Sequence, residues 1–309
     1  MFDLIDSLGA RHTLYWLAGG YFGMVILERL YRLWSDARTE GGSAYDNRDA
    51  LCSIGLNLMS SVIALVFTIL VPLALYVGVY DNFRLTTIEA LWLSAPLAFL
   101  VHELTYYWEH RAVHRVGLLW AFHAIHHSSN EFNHSTAARG FVLDGQLKII
   151  GALAAALMGV PIIVYVAVTV VKNLYGIWNH ASYVGRLGWA ERVFATPMNH
   201  KIHHANQPQY IDKNYSQVLI IWDRLFGSLA TYDEEPVVGL VAPVRDNNPL
   251  TAQFAGIKQL AAKIGSAERM ADKLAYLWRP PEWSHDGRCA SDCPKYALGT
   301  GEGATKTAA

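Results

Sequence analysis

Histidine is concentrated at three places in this chain, always with helical spacing, and that grouping restricts the fold more than any other feature. HRAVH carries His110 and His114, HAIHH carries His123, His126 and His127, and HKIHH repeats the second spacing with His200, His203 and His204. On an α-helix, positions i, i+3 and i+4 share one face, so each group is expected to offer its imidazoles to one common point. Neutral imidazole is the commonest metal-binding side chain and suits iron, zinc, copper and nickel. His180, in NHASY, is a lone ninth candidate. Eight or nine convergent nitrogens exceed the three or four that one zinc ion takes, so two metal ions with four or five ligands each is the economical reading.

A fold that meets this demand must bring residues 110–127 to residues 200–204 across a long apolar stretch, IIGALAAALMGVPIIVYVAVTVVKNLYGIW, from Ile149 to Trp178. Met158-Gly159-Val160-Pro161 interrupts it, and glycine and proline weaken a continuous helix there. A re-entrant helical hairpin turning near Gly159–Pro161, over about 147–178, returns the chain to its starting face; a single kinked span would separate the histidines.

Three further segments are long enough to cross a bilayer, which takes about 20 mostly apolar residues. They start at Thr13, Ser53 and Thr86. Charged residues make up only 17% of the 309-residue chain, and its mean hydropathy is +0.17. Both values point to membrane segments. The acidic N-terminus MFDLIDSLGA does not read as a signal peptide, so the first segment is expected to stay as a span. Arg29, Arg32, Arg38 and Arg48 cluster around the loop after it, which places that loop inside and the N-terminus outside.

The expected architecture is thus all-α and integral to the membrane. Transmembrane helices occupy 1–108, and a histidine-bearing catalytic region with the hairpin occupies 109–235. A cytoplasmic helical segment and mobile tail follow over 236–309. The formal net charge of −1 argues against a nucleic-acid partner. Cys52, Cys289 and Cys293 are too few for a disulfide scaffold. The last two are expected as reduced thiols in the tail.

Other histidines read differently. His102 lies two helical turns before His110, and its neighbour Glu103 belongs to HELTY, which lacks the second histidine of HExxH. It reads as a packing or ligand-orienting residue. His134 follows the second group and is a weaker candidate to reach the site.

The stretches YYWEHRAVH, LWAFHAIHHSSNEFNHSTAAR and NHKIHHANQPQYIDKNYSQVLIIWDRLFG resemble the fatty acid hydroxylase/sterol desaturase superfamily of integral-membrane di-iron enzymes. Within it the chain is most similar to bacterial sterol-desaturase-like proteins and alkylglycerol monooxygenases. The resemblance covers roughly residues 100–230. It implies that the eight grouped histidines and His180 ligate two iron ions. It also implies that Arg111, Trp120, Asn133, Thr136, Arg139, Asn214, Tyr215, Trp222 and Asp223 orient ligands or close the pocket. Arg115 is a departure, since alkylglycerol monooxygenases carry glutamate directly after the HxxxH motif.

The implied reaction is hydroxylation of a lipid C–H bond with O2, in a site on the cytoplasmic face of a multi-pass protein of a bacterial cytoplasmic membrane. Two electrons must come from an external donor such as a ferredoxin, a cytochrome or a pterin, because the chain has no GxGxxG fingerprint. Desaturation on the same di-iron site is the nearest rival. A histidine-rich metal transporter would need a polar path across the bilayer, and a zinc hydrolase would need a general-base carboxylate beside three ligands.

Overall fold

The computed structural model describes residues 10–36, 46–64, 71–141, 148–244 and 246–287. Helix α1 runs Ala10–Asp36, α2 Asn47–Ala64, α3 Val71–Phe83, α4 Leu91–Arg115 and α5 Gly117–His123. Helices α6 Ile149–Leu157 and α7 Ile162–Trp178 follow, then α8 Pro197–His203 and α9 Ile221–Leu225. The chain closes with α10 Pro249–Ala252, α11 Ala255–Ser266 and α12 Met270–Trp278. Short 3-10 turns lie at His126–Ser128, His134–Ala138 and Gly188–Arg192. Among the described residues only two isolated β-bridges occur, Phe194 with Leu219 and Ala205 with Val238, so the all-α expectation holds.

The apolar stretch from Ile149 doubles back. Gly159 takes a left-handed φ of +80°, a conformation that costs glycine little and most L-residues much. A Cβ there would lie 1.9 Å from the carbonyl oxygen of Thr86, so the turn can press against the 85–88 segment only as glycine. The Ile88 N–H donates to the Gly159 carbonyl at 3.0 Å, and the Tyr76 hydroxyl donates to the Val160 carbonyl at 2.7 Å. Small residues let α6 lie close to α4: Ala98, Ala152, Ala155, Ala156 and Val160 form one buried cluster with Tyr76 and Tyr165. Helix α7 then returns along α4 and α1 and delivers His180 beside His200, with ring centroids 4.4 Å apart.

Among the described residues no helix is long and apolar enough to cross a membrane. The expected spans at the Thr13, Ser53 and Thr86 segments are therefore not shown by these helices. The Ser53 segment divides between α2 and α3, and residues 65–70 lie outside the described residues. Helix α4 has Pro96 near its start and a polar second half. Helix α1 is long enough but carries ionic groups near its end, and Glu28 turns inward, only 2% exposed. The tail beyond Gly287, with Cys289 and Cys293, also lies outside the described residues.

A second cluster joins Cys52 and Leu56 of α2 to Ile125, Phe141 and Ala252. The C-terminal helices α11 and α12 pack on α5. The contact is close: a Cβ on Gly117 would lie 2.2 Å from the Tyr276 carbonyl oxygen, and the Gly117 N–H donates to the Arg279 carbonyl at 2.9 Å. The C-terminal segment therefore clamps the short helix that ends in His123.

Candidate metal centre

Nine histidines from five parts of the chain converge in two groups. One holds His110, His114, His123, His127 and His203; the other holds His126, His180, His200 and His204. Within each group the candidate ligand atoms all lie within 4.8 Å of one another. The groups adjoin, with the His127 and His204 rings stacked 4.3 Å apart.

The two HxxHH motifs do not each serve one point. His123 and His127 go to the five-histidine group while His126 goes to the other; His200 and His204 go to the four-histidine group while His203 crosses back. This corrects the expectation of one common point per motif. Residues i+3 and i+4 are adjacent and diverge by about 100° around a helix. Both motifs also sit at helix ends: α5 stops at His123 and gives way to a 3-10 turn, and α8 stops at His203. Each group so receives an i, i+4 pair from one motif and the i+3 histidine from the other. His110 and His114 complete one group, and His180 the other.

Backbone carbonyls fix the ring tautomers. Nδ1 of His110 lies 2.7 Å from the Tyr215 carbonyl and Nδ1 of His203 lies 2.7 Å from that of Lys213. In the other group, His126 Nδ1 lies 3.1 Å from the Arg139 carbonyl and His180 Nδ1 lies 3.0 Å from that of Gly176. A carbonyl only accepts, so each of these Nδ1 atoms carries the proton and Nε2 keeps its lone pair. Nε2 of His200 is 3.2 Å from Nε2 of both His180 and His204.

Nε2 of His114, His127 and His203 is buried with no hydrogen-bond partner. Each such orphan costs about 1–3 kcal/mol, a cost that metal ligation removes. Burial, reinforced by mutual repulsion, holds His110, His114, His127, His180, His200 and His204 well below the usual histidine range. Burial brings His203 down to about 3. All seven are neutral near pH 7, the form that ligates. The donor set therefore fits metal ions.

Several flanking residues hold these carbonyls in place. The Asp223 carboxylate, 0% exposed, accepts from the Tyr215 and Ser216 N–H groups at 2.8 and 2.9 Å and so sets the carbonyl facing His110. Asn214, at φ +56°, locks the same turn through the Ala230 N–H and the Asn199 and Ala230 carbonyls. The buried Arg139 guanidinium pairs with Asp49 at 3.0 Å and donates to Ser128 and Ser53, tying α2 to the loop bearing His126. Asn133 and Thr136 form a capping box on the 134–138 turn. Trp120 packs on His114, with centroids 5.1 Å apart. Arg111 donates to the Tyr107 hydroxyl and the Phe226 carbonyl, away from the ligands.

Two residues from the same set lie elsewhere. His102 Nδ1 is 2.8 Å from Lys172 Nζ, which also pairs with Glu103 at 2.5 Å; it joins neither histidine group. The described contacts of Trp222 do not include the histidines; the one hydrogen bond described there is from the Phe226 N–H to its carbonyl. His134 is paired with Glu28, whose carboxylate accepts its N–H at 2.6 Å and lies 3.1 Å from its Nδ1. Glu28 also accepts from the Ser182 N–H, tying α1 to the loop after His180. Sequence reasoning missed Glu28, and the available signal was an acidic residue inside an apolar segment.

Residues 95–228 match the family model for fatty acid hydroxylase. The match takes in less than half of the chain. All nine grouped histidines lie inside it. An alkylglycerol monooxygenase from Danio rerio is 34% identical over 267 residues, 85% of this chain and 58% of the relative. One from Homo sapiens is 34% identical over 237 residues, 76% of this chain and 53% of the relative. The ornithine lipid hydroxylase OlsE of Rhizobium tropici is 32% identical over 133 residues, 43% of this chain and 40% of the relative. The chain thus spans about half the length of these two alkylglycerol monooxygenases. No solved structure matches.

Proposed function

We propose that the chain is an O2-dependent lipid hydroxylase in which the nine histidines hold two iron ions, five at one position and four at the other. The observation that carries this reading is the pair of adjoining all-histidine groups inside the stretch that matches the fatty acid hydroxylase family model. Iron held there would supply the O2 activation that an unactivated C–H bond requires and that no side chain provides. The chain's own part is to hold the imidazoles neutral, orient them through the 213 and 215 carbonyls, and keep bulk water out.

A cavity beside His114, His127 and His203 is walled by Trp120, Ile211, Leu240, Val241 and Pro281, with Asn206 and Asp212 polar at its side. It sets apolar and polar groups side by side next to three of the histidines. The first substrate to try is a glycerol ether lipid, by likeness to the alkylglycerol monooxygenases, and the second an aminolipid. Desaturation is not favoured, since the relatives are named monooxygenase and hydroxylase.

We place the protein at a membrane, with its histidines at the cytoplasmic face. Trp16, Leu27 and Trp34 of α1, and Trp92 at the start of α4, are each more than half exposed, the kind of apolar surface that seeks lipid. A ferredoxin, a cytochrome or a pterin would deliver the electrons.

The test is metal content of detergent-purified chain, followed by O2 and reductant with each lipid. About two irons per chain and a hydroxylated product are expected. Substantially less than one metal per folded chain would sink the reading.

A further inference from the structure

Three of the five histidines in the larger group are addressed by one short segment, residues 212–215. Lys213 and Tyr215 present carbonyls to His203 and His110. The third contact differs in kind: Nδ1 of His114 faces Oδ1 of Asp212, a carboxylate, at 3.5 Å. Asp212 sits at φ +60°, a left-handed conformation uncommon outside glycine, asparagine and aspartate. Its other oxygen accepts from Arg115 Nη1 at 2.5 Å, and Glu282, from the C-terminal segment, reaches the same Arg115 nitrogen at 3.4 Å. The family match ends at residue 228, so the anchor of this carboxylate extends beyond it.

We propose that Asp212 is a positioning residue that makes the two metal positions unequal. Its carboxylate orients His114 and raises the basicity of that imidazole, while Arg115, itself braced by Glu282, holds the carboxylate in place. The inference rests on the two-metal reading above. A carboxylate on the far nitrogen strengthens an imidazole ligand, and removing such a partner typically weakens metal binding about 10- to 100-fold. Among the ring-nitrogen contacts described for the four-histidine group there is none to a carboxylate; His126 and His180 face carbonyls. Asp212 should therefore act on one ion and not on the other.

The test uses the full chain, Co2+ as the probe, chelator competition for affinity and the cobalt visible absorption as the signature. Wild type is expected to bind two Co2+ per chain. Asp212→Asn keeps the side-chain size and tolerates the left-handed backbone. It should weaken one Co2+ about 10- to 100-fold, alter the absorption of that ion, and leave the other at wild-type affinity. Arg115→Met, at a side chain 45% exposed, should weaken the same ion by less than about tenfold with helix content intact. Wild-type affinities and spectrum in Asp212→Asn would overturn the proposal. So would equal loss of both ions together with helix content, which would make Asp212 a fold residue only. A folded wild type that binds no Co2+ would overturn the two-metal reading itself, and is told apart because it needs no variant.

Discussion

The two histidine groups are built from the same motif and supported in different ways. The five-histidine group is buried and is framed by a turn, residues 212–215, that Asn214 and Asp223 hold by hydrogen bonds. The four-histidine group takes its orientation from the carbonyls of Arg139 and Gly176 and is covered by the Phe132 ring, 5.5 Å from His180 and 5.7 Å from His204. One group is thus braced by a dedicated loop, the other by the ends of elements whose main work is packing. Four imidazoles also leave more of an ion's coordination positions open than five do. The comparison teaches that repeated sequence spacing does not imply equivalent sites.

The largest effects should come from neighbouring ligands that serve different ions. His126→Ala is expected to remove the ion of the four-histidine group, and His127→Ala that of the other. Each should leave about one metal per chain and abolish turnover. His126→Ala with His200→Ala should still hold about one ion, whereas His126→Ala with His127→Ala should hold none. If the first pair loses both ions, the partition drawn here is wrong.

Acidification of the metal-free chain comes next. Seven of these histidines are held below the ordinary value by burial. Below about pH 6.5 the unfolded chain binds protons that the folded chain refuses. Stability is therefore full above that pH and should decline as pH falls, by up to about 1.4 kcal/mol per pH unit for each histidine. Urea midpoints across pH 7 to 5 would show it, and a flat profile would contradict the neutral, buried state.

The buried anchors separate the groups more finely. Arg139→Met strands Asp49 and should cost about 3–5 kcal/mol, with weaker metal binding in the four-histidine group. Asp223→Asn weakens hydrogen bonds to two backbone amides and should cost about 2–3 kcal/mol, with its effect on the five-histidine group. Urea unfolding together with metal titration would test both. Indistinguishable effects on the two ions would erase the contrast in support. The smallest change expected is Lys201→Ala. Lys201 lies inside HKIHH but pairs on the surface with Glu235, so stability should move by less than about 1 kcal/mol and both ions should stay.

Much of the site was legible because its chemistry is local. Helical spacing marked the histidines as donors, and Gly159 with Pro161 marked the place where the chain turns back. The early segments were less legible. Hydropathy averages over a helix, and it cannot see that Glu28, Glu103 and Lys172 turn inward to partners far along the chain.

By itself, then, the sequence determined which side chains could ligate and that they must converge. Which histidine joins which group was decided only by the tertiary structure. The i+3 and i+4 residues of each motif point apart, and only the packing of α4, α5, α7 and α8 sets what stands on either side of them. The same holds for Asp212 and Glu28. They lie 98 and 106 residues from the histidines they face, and a contact across such a distance exists only once the chain has folded.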